Sequence, residues 1–356
     1  GTYDAFWKAR NIRPHLTDIK PATLVVGGFF DAEDTFGALR TYEAIEKQNP
    51  KNNNRLVMGP WFHGGWARST GETFGDIHFG QATSTWYQAN VEFPFFQYHL
   101  KGKAEPALAE ATIFETGSNQ WRKFETWPPK NAINRNLYFH KNGKLSFEAP
   151  KAETSFDEYI SDPNKPVPYA DGVHLRRTRE YMIDDQRFAS RRPDVMVYRT
   201  EVLTEDITLA GPIMANLLVS TTGTDADYVV KLIDVFPDDH PNNEPNPGNV
   251  EMGGYQMLVR GEVMRGKFRN SFEKPEPFVP NQITQVKYEI PEVAHTFKKG
   301  HRIMVQVQNS WFPLVDRNPQ KFVDIYNADE QDFQKATQRI YHDNRNPSHI
   351  TVSVLP

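Results

Sequence analysis

Two short apolar segments, each ended by glycine, constrain the fold of this chain more than any other feature. Residues 23–26 (Thr-Leu-Val-Val) run into Gly27-Gly28, and residues 55–58 (Arg-Leu-Val-Met) run into Gly59-Pro60. Apolar runs of this length between turn residues are typical of the buried strands of a parallel sheet. The stretch between them, residues 34–48, has the apolar spacing of an amphipathic helix. The order strand, helix, strand predicts α/β architecture for this part of the chain.

Two details of the helices can be predicted from single residues. Asp34 stands directly before the first helix, where its side chain suits the N-cap position. A second helix is predicted over residues 84–100. Because proline cannot donate to the helical hydrogen-bond ladder, Pro94 should kink that helix.

Short alternating strands replace this pattern beyond Trp127-Pro128-Pro129. Leu137–Phe139 and Leu145–Phe147 flank Asn142-Gly143, a dipeptide that favours a two-residue hairpin connection. Further strands are predicted over residues 213–220, 228–236, 255–263, 285–290, 302–308 and 350–354. Residues 184–191 predict a short turn, and residues 330–340 predict a late helix or loop. So many strands with so little helix indicate a sandwich or jelly roll.

Length and composition exclude several classes of protein. The 356 residues suit two domains, which we expect at residues 1–129 (α/β) and 130–356 (all-β). The 41 Lys and Arg residues against 45 Asp and Glu residues give a net charge of −4, without the basic excess that nucleic acid requires. No run approaches the roughly 20 apolar residues of a membrane span. Cysteine is absent, so thiolate nucleophiles and cysteine-ligated zinc are excluded, and we expect no metal or cofactor.

Candidate catalytic residues follow the two predicted strands directly. Asp31 lies in the loop after the first strand, and His63 lies in the loop after the second. The carboxyl ends of parallel strands meet at the edge where such sheets build their sites. An acid followed by a histidine is the chain order of the last two members of the α/β-hydrolase triad. Asp31 should accept the imidazole N–H while His63 deprotonates a serine; in the alternative, Asp31 only caps the helix and His63 is an ordered loop residue.

Two further carboxylates, Glu33 and Asp34, indicate the charge of the substrate. Three carboxylates within four residues repel one another unless a cation joins them. We therefore expect Glu33 and Asp34 to face a cationic group of the substrate. The alternative is an acidic first helical turn that is favoured by the helix dipole.

Four segments resemble those of a known enzyme family. They are Gly-Gly-Phe-Phe-Asp-Ala-Glu-Asp (27–34), Met-Gly-Pro-Trp-Phe-His-Gly-Gly (58–65), Val-Val-Lys-Leu-Ile-Asp-Val (229–235) and Asn-Ser-Trp-Phe-Pro-Leu-Val-Asp-Arg-Asn-Pro (309–319). They resemble the α-amino acid ester hydrolases, which group with glutaryl-7-aminocephalosporanic acid acylases, cocaine esterase and X-Pro dipeptidyl peptidases. The resemblance implies a serine hydrolase with an α/β-hydrolase domain, a helical cap and a C-terminal jelly roll.

The resemblance also implies roles for individual residues. Asp31 and His63 match the catalytic acid and base, and Glu33 and Asp34 match a cluster that binds the α-ammonium of the substrate. The substrate is then a small ester or amide of an α-amino acid, including β-lactams with such side chains. The family further implies a homo-oligomer in the periplasm or outside the cell. Residues 3–15 correspond to the end of the cap.

The nucleophile is the main departure from the family pattern. No serine stands in a G-x-S-x-G motif; the nearest partial matches are at Ser69 and Ser118. We therefore expect this chain to correspond to the C-terminal part of the enzyme, with the serine and the N-terminal half of the hydrolase outside it. An X-Pro dipeptidyl peptidase or a cocaine-esterase-like carboxylesterase is the alternative activity. A noncatalytic jelly-roll module that binds carbohydrate or protein is the alternative of another class.

Weaker candidates are assigned to structure. Asp225, Asp227 and Asp234 lack a complete calcium-loop pattern, so we expect solvated turn residues. Four scattered histidines lack metal-ligand spacing: His78, His99, His140 and His174. Four aromatic residues are assigned to the core rather than to an acyl pocket: Trp61, Trp66, Trp86 and Tyr87. Residues 311–319 should pack the sandwich against the α/β part.

Overall fold

The computed structural model describes residues 1–356, and most of its regular structure is β. The strands are β1 (Thr23–Gly28), β2 (Asn54–Gly59), β3 (Thr73–Phe74), β4 (Ile77–His78), β5 (Ala111–Glu115), β6 (Gln120–Phe124), β7 (Ile133–His140), β8 (Lys144–Ser146), β9 (Phe156–Ser161), β10 (Met196–Arg199), β11 (Ile207–Thr221), β12 (Asp227–Val235), β13 (Gln256–Arg265), β14 (Thr284–Phe297), β15 (Arg302–Gln308), β16 (Ala336–Tyr341) and β17 (His349–Leu355). The α-helices are α1 (Ala5–Lys8), α2 (Thr35–Gln48), α3 (Gly65–Arg68), α4 (Thr83–Tyr87), α5 (Phe93–Lys101) and α6 (Arg187–Ser190). No helix has the length and apolarity needed to cross a membrane.

A four-stranded sheet in the order β1-β2-β5-β6 carries the first part of the chain. β1, β2 and β5 run parallel, and β6 returns antiparallel to β5. Helix α2 connects β1 to β2 and buries Leu39, Tyr42 and Ile45. The strand, helix, strand order predicted from the sequence is confirmed. A small core that includes Phe29, Leu56 and residues of α2 joins the helix to the sheet.

The predicted second helix is helical from residue 83 to residue 101 but not uniform. A π-helical segment, Gln88–Glu92, separates α4 from α5. Pro94 is the second residue of α5, the helix that follows the π-helical segment directly. The regular α-helical hydrogen bonding is therefore interrupted immediately before the proline, where the sequence predicts a kink.

Strands β3 and β4 form a separate two-stranded sheet, and the other eleven strands form one large sheet. Their order is β13-β12-β15-β10-β8-β7-β17-β11-β16-β9, and β14 pairs with β11 beside this path. A cluster of 28 buried apolar residues, drawn from most of these strands, forms their common core. Sheet-rich structure around one core of this kind is consistent with a β-sandwich.

Most predicted strands of this region are confirmed. The six strands predicted beyond residue 212 coincide with or overlap β11, β12, β13, β14, β15 and β17. The prediction of a helix or loop over residues 330–340 is wrong from residue 336, where β16 begins. The Asn-Gly hairpin is present, but His140 pairs with Lys144, so its connection has three residues rather than two. Asn142 and Gly143 both take positive φ angles there (63° and 67°), as the turn requires.

The three aspartates expected in solvated turns are instead buried, with about 1% of their surface exposed. Asp227 accepts two hydrogen bonds from Arg265, at 3.1 and 3.0 Å, and one from Asn318 at 2.7 Å. Burial and the neighbouring Asp227 raise the pKa of Asp225 to about 6. The expectation was wrong because these carboxylates hold strand ends together inside the protein.

Asp234 lies at the junction between the two sheets. Its two carboxylate oxygens are 3.2 Å from Nε2 of His295 and 2.9 Å from Nδ1 of His301. Burial alone would raise the pKa of Asp234, but the hydrogen bonds from these histidines hold it below its ordinary value. Nδ1 of His295 lies 2.8 Å from Oγ1 of Thr116, the residue that follows β5. Buried polar contacts thus connect β12 and β14 to the first sheet.

Candidate active site

Asp31 and His63 lie within hydrogen-bond distance of each other. Oδ2 of Asp31 is 3.1 Å from Nδ1 of His63. Since an ionised carboxylate only accepts hydrogen bonds, Nδ1 carries the proton and Nε2 is the nitrogen left to accept one. Asp31 is buried, whereas 40% of the His63 side chain is exposed. The pair therefore leaves Nε2, on a partly exposed side chain, as the nitrogen that can accept a proton.

Continuation of the strand pairing brings the two loops together. The N–H of Phe29 donates to the carbonyl of Gly59 at 2.9 Å, and that of Phe30 donates to the carbonyl of Trp61 at 3.1 Å. A Cβ atom on Gly28 would lie 2.1 Å from the carbonyl oxygen of Trp61. Only glycine permits this approach, which explains the glycine at the end of the first strand.

The other oxygen of Asp31 organises its own loop. Oδ1 accepts the backbone N–H groups of Glu33 and Asp34, at 2.8 and 3.0 Å. The hydroxyl of Thr35 contacts the carbonyls of Gly28 and Asp31, at 2.9 and 2.7 Å. Asp31 therefore shapes the start of α2 and faces His63 at the same time. Asp34 occupies the N-cap position of α2, as predicted, but its side chain accepts no helix N–H.

Glu33 and Asp34 are exposed beside His63. Oδ2 of Asp34 lies 3.4 Å from Nδ1 of His63, and Oε2 of Glu33 lies 3.8 Å from Nε2. Their side chains are 51% (Glu33) and 65% (Asp34) exposed. Glu33 also accepts a hydrogen bond from Arg177, at 2.8 Å. The structure therefore brings all four predicted site residues together and shows that one carboxylate already has a cationic partner.

Three arginines from the β-rich part contact the two loops, and sequence reasoning missed all of them. Arg177 pairs with Glu33, and the guanidinium of Arg179 lies 4.2 Å above the ring centre of Phe62. Arg260 is buried and donates to the carbonyl of Phe29, and also to the carbonyl of Glu292 at 3.1 Å. Burial lowers the pKa of Arg260 to about 10. No local motif marks these residues, since their partners lie far away in the sequence.

A cavity of about 380 Å³ adjoins the acid loop. Asp31, Ala32 and Glu33 line one part of it, and Trp311 and Leu314 line another. Residues 311–319 thus contribute to the wall beside the candidate site. Trp311 itself packs edge-on against Tyr181, with ring centres 5.9 Å apart.

One group of side chains has the spacing of a cation site. Ligand atoms of Asp31, Asp34 and His63 all lie within 4.8 Å of one another. The hydrogen bond from His63 to Asp31 accounts for this spacing without an ion, and exposed carboxylates commonly cluster in this way. None of the four scattered histidines belongs to such a group; His140, for example, contacts the carbonyl of Glu148 at 2.9 Å.

The aromatic residues near the second loop belong largely to a packed cluster. Trp61 and Tyr87 are each only 1% exposed, and Nε1 of Trp61 donates to Thr83 at 2.9 Å. Trp66 and Trp86 are half-buried against the same cluster. This packing agrees with the prediction that these residues are core rather than an acyl pocket.

Two family matches cover most of the chain. Residues 104–351 match the X-Pro dipeptidyl-peptidase C-terminal non-catalytic domain, and residues 1–65 match the X-Pro dipeptidyl-peptidase (S15 family). Cocaine esterase from Rhodococcus sp. (strain MB1 Bresler) is 30% identical over 99% of this chain and 59% of its own length.

Two solved structures are similar over the whole chain. An aminopeptidase from the marine sediment archaeon Thaumarchaeota archaeon is 39% identical, with a TM-score of 0.94, over 100% of this chain and 59% of its own. An α-amino acid ester hydrolase is 38% identical, with a TM-score of 0.93, over 99% of this chain and 59% of its own. The chain therefore spans about three fifths of the length of these relatives.

Proposed function

The chain belongs to the X-Pro dipeptidyl-peptidase family, and on that premise we propose that it is part of a serine hydrolase or acyltransferase of the α-amino acid ester hydrolase type. The observation that carries this proposal is the 3.1 Å separation of His63 and Asp31 at the ends of neighbouring parallel strands. All four proposed site residues lie within residues 1–65, the segment that matches the S15 peptidases rather than the non-catalytic domain. Similarity to an α-amino acid ester hydrolase supports the same type of enzyme.

In the proposed mechanism, His63 acts as general base through Nε2 while Asp31 holds the tautomer and stabilises the imidazolium. A serine attacks the ester or amide carbonyl, forms an acyl-serine and releases the alcohol or amine. Water or another amine then takes the acyl group. Because this chain has no G-x-S-x-G motif, we propose that the serine belongs to an N-terminal half of the hydrolase outside it.

The proposed domain assignment follows from the sheets. Residues 1–129 would supply the end of the cap and the C-terminal part of an α/β-hydrolase domain, since β1, β2 and β5 are parallel. Residues 130–356 would form the jelly roll, since the eleven-stranded sheet begins at β7. By the same family resemblance, we propose a homo-oligomer that is periplasmic or secreted.

We propose that Glu33 and Asp34 bind the α-ammonium of the substrate. Both carboxylates are exposed and lie within 3.8 Å of His63, so a cation between them would sit beside the reacting centre. Esters and amides of α-amino acids, including β-lactams with such side chains, have a cation in this position. Asp34 has no basic partner other than His63, so it is the carboxylate most available to that cation.

The complete polypeptide, with its nucleophile-bearing segment, allows a direct test with three substrates. They are phenylalanine methyl ester, its des-amino analogue methyl 3-phenylpropionate, and glycyl-prolyl p-nitroanilide. We expect kcat/KM for the amino ester to exceed that for the des-amino ester at least about tenfold, because only the former pairs with the carboxylates. Equal turnover of the two esters would contradict the assignment.

Two other activities have specific support. The S15 match favours an X-Pro dipeptidyl peptidase, and the 30% identity to cocaine esterase favours a carboxylesterase. Preferential cleavage of glycyl-prolyl p-nitroanilide would identify an X-Pro dipeptidyl peptidase. Equal turnover of the amino ester and the des-amino ester would identify a carboxylesterase. A noncatalytic binding module, favoured by the match over residues 104–351, would turn over none of the three substrates.

A further inference from the structure

A short arginine-rich segment of the β-rich part lies across both loops of the candidate site. This segment, which we call the arginine strap, comprises Arg176, Arg177, Thr178 and Arg179. Arg177 donates to Oε1 of Glu33 in the acid loop, at 2.8 Å. Arg179 lies over the ring of Phe62, the residue that precedes His63. One continuous strap therefore touches the loop of the acid and the loop of the base.

A buried tyrosine fixes the position of the strap. The hydroxyl of Tyr169 accepts the backbone N–H of Thr178 at 3.0 Å and donates to the carbonyl of Arg176 at 3.4 Å. Tyr169 is only 5% exposed, and its own N–H donates to the carbonyl of Phe312 at 2.9 Å. Side chains carried by a backbone anchored in this way are presented in a defined place.

The two arginines that contact the loops differ in their partners. Arg177 has a carboxylate, Glu33, at hydrogen-bond distance. The guanidinium of Arg179 donates to no group in the structure. The hydrogen bonds of this residue are made by its backbone, whose N–H donates to Oε2 of Glu180 at 2.9 Å and whose carbonyl accepts the N–H of Met182 at 3.4 Å. A guanidinium stacked on a ring uses its face for that contact, so its N–H edge stays free for a planar anion.

We propose that Arg179 is a specificity-determining residue that binds a carboxylate on the leaving group of the substrate. This inference rests on the proposed function and names its substrate class: short peptides with a free α-ammonium and a free carboxylate. Glu33 and Asp34 lie beside His63 and take the cation, while Arg179 stacks on Phe62, the residue before His63 in the chain, and takes the anion. Arg177 forms an ion pair with Glu33, and this contact connects the arginine strap to the carboxylates that take the cation.

The chemistry of such a substrate fits this arrangement. In a dipeptide the carboxylate carbon is three bonds from the scissile carbonyl carbon, so both charged ends lie close to the bond that reacts. Water adds across the amide: the acyl carbon gains the hydroxyl and the amine leaves with the proton. The carboxylate that Arg179 binds is unchanged, so its contribution is recognition of the leaving group.

The test compares phenylalanyl-alanine with its C-terminal amide as substrates of the complete polypeptide. The two differ in one charge at the position assigned to Arg179. We expect kcat/KM to favour the free acid by about tenfold, mainly through KM, because bidentate charge-assisted hydrogen bonds are lost with the amide. Arg179→Gln should bring the ratio close to one by weakening the acid alone, and Arg179→Lys should retain part of the preference.

Arg176→Gln is the matched control, since it removes the same charge from the same strap at an exposed side chain without a partner in either loop. It should leave the preference intact. Equal losses for acid and amide in Arg179→Gln would show a merely structural role and overturn the inference. Turnover of phenylalanine methyl ester without any preference between the two peptides would overturn this inference alone. No turnover of the ester or of either peptide would overturn the proposed function together with it.

Discussion

Oδ2 of Asp31 lies 3.1 Å from Nδ1 of His63, although the two residues are 32 positions apart in the chain. The parallel register of β1 and β2 explains this proximity, because Gly28 and Gly59 are partners at the strand ends. Asp31 follows the first glycine by three residues, and His63 follows the second by four. The loops therefore leave adjacent strands side by side, and their side chains meet within a few residues.

The first prediction concerns Asp31→Asn in the complete polypeptide. An amide at this position offers no negative charge to an imidazolium and permits the wrong tautomer of His63. We expect kcat for an amino ester to fall by about 10³–10⁴, as loss of the orienting acid does in triads of this kind. The unfolding midpoint should change little, because an asparagine Oδ1 can still accept the N–H groups of Glu33 and Asp34. Near-normal turnover would remove Asp31 from the catalytic assignment.

The second prediction separates the two exposed carboxylates. Asp34→Asn should weaken kcat/KM for an α-amino ester by about tenfold and leave the des-amino ester unaffected, because only the ammonium loses a charge partner. Glu33→Gln should lower kcat/KM for the α-amino ester by a smaller factor, since that carboxylate is already paired with Arg177. The double variant should discriminate least between the two esters. Equal losses for both esters would assign these residues to the start of the helix instead.

The parts of the site that the sequence could predict are those built from neighbouring chain segments. Strand ends, glycines and the loops that follow them are local patterns, so Asp31, Glu33, Asp34 and His63 could be identified together. Only the geometry of a parallel pair was needed to bring them into contact. Their roles as catalytic and binding residues remain predictions.

The parts that the sequence could not predict depend on distant partners. Arg177 meets Glu33 across 144 positions, and no spacing rule connects residues so far apart. β16 was missed for a related reason: Gln338 is buried within it and bonds to the side chain of Gln320 at 2.7 Å. A buried glutamine disguises the alternation of apolar and polar residues that marks a strand. The burial of Asp234 depends likewise on two distant histidines, His295 in β14 and His301 immediately before β15.

The third prediction concerns Lys231, a fully buried lysine whose ammonium donates to Oε1 of Gln186 at 2.9 Å. Burial lowers its pKa from 10.5 to about 7. Between these values the unfolded chain binds more protons than the folded one, so the contribution of this residue to stability rises with pH. Below about pH 7 both states are protonated, and the folded state bears the full cost of a buried charge.

Lys231→Met removes this dependence. The quantity to compare is the free energy of unfolding of the variant minus that of the unmodified chain, measured by urea unfolding at pH 6 and at pH 9. We expect this difference to be about 2 kcal/mol larger at pH 6. The substitution also removes the hydrogen bond that Lys231 donates to Gln186, which lowers the stability of the variant. This loss is the same at both pH values. Lys298→Met, at a lysine whose side chain is 39% exposed, serves as the control. A difference for Lys231→Met that does not vary with pH would contradict the prediction.

The last prediction concerns the 356 residues on their own. Without a nucleophile elbow, the chain can orient His63 but cannot form the acyl-enzyme that divides hydrolysis into two easier steps. It also lacks the backbone donor of that elbow, and a single oxyanion-hole donor is worth roughly 10²–10³ in rate. The isolated chain should therefore be inert toward amino esters and should not react with a serine-directed fluorophosphonate, as measured by intact mass. The complete polypeptide, as the positive control, should gain one probe per chain. Stoichiometric labelling of the isolated chain at Ser69, Ser118 or any other serine would instead place the nucleophile within these residues.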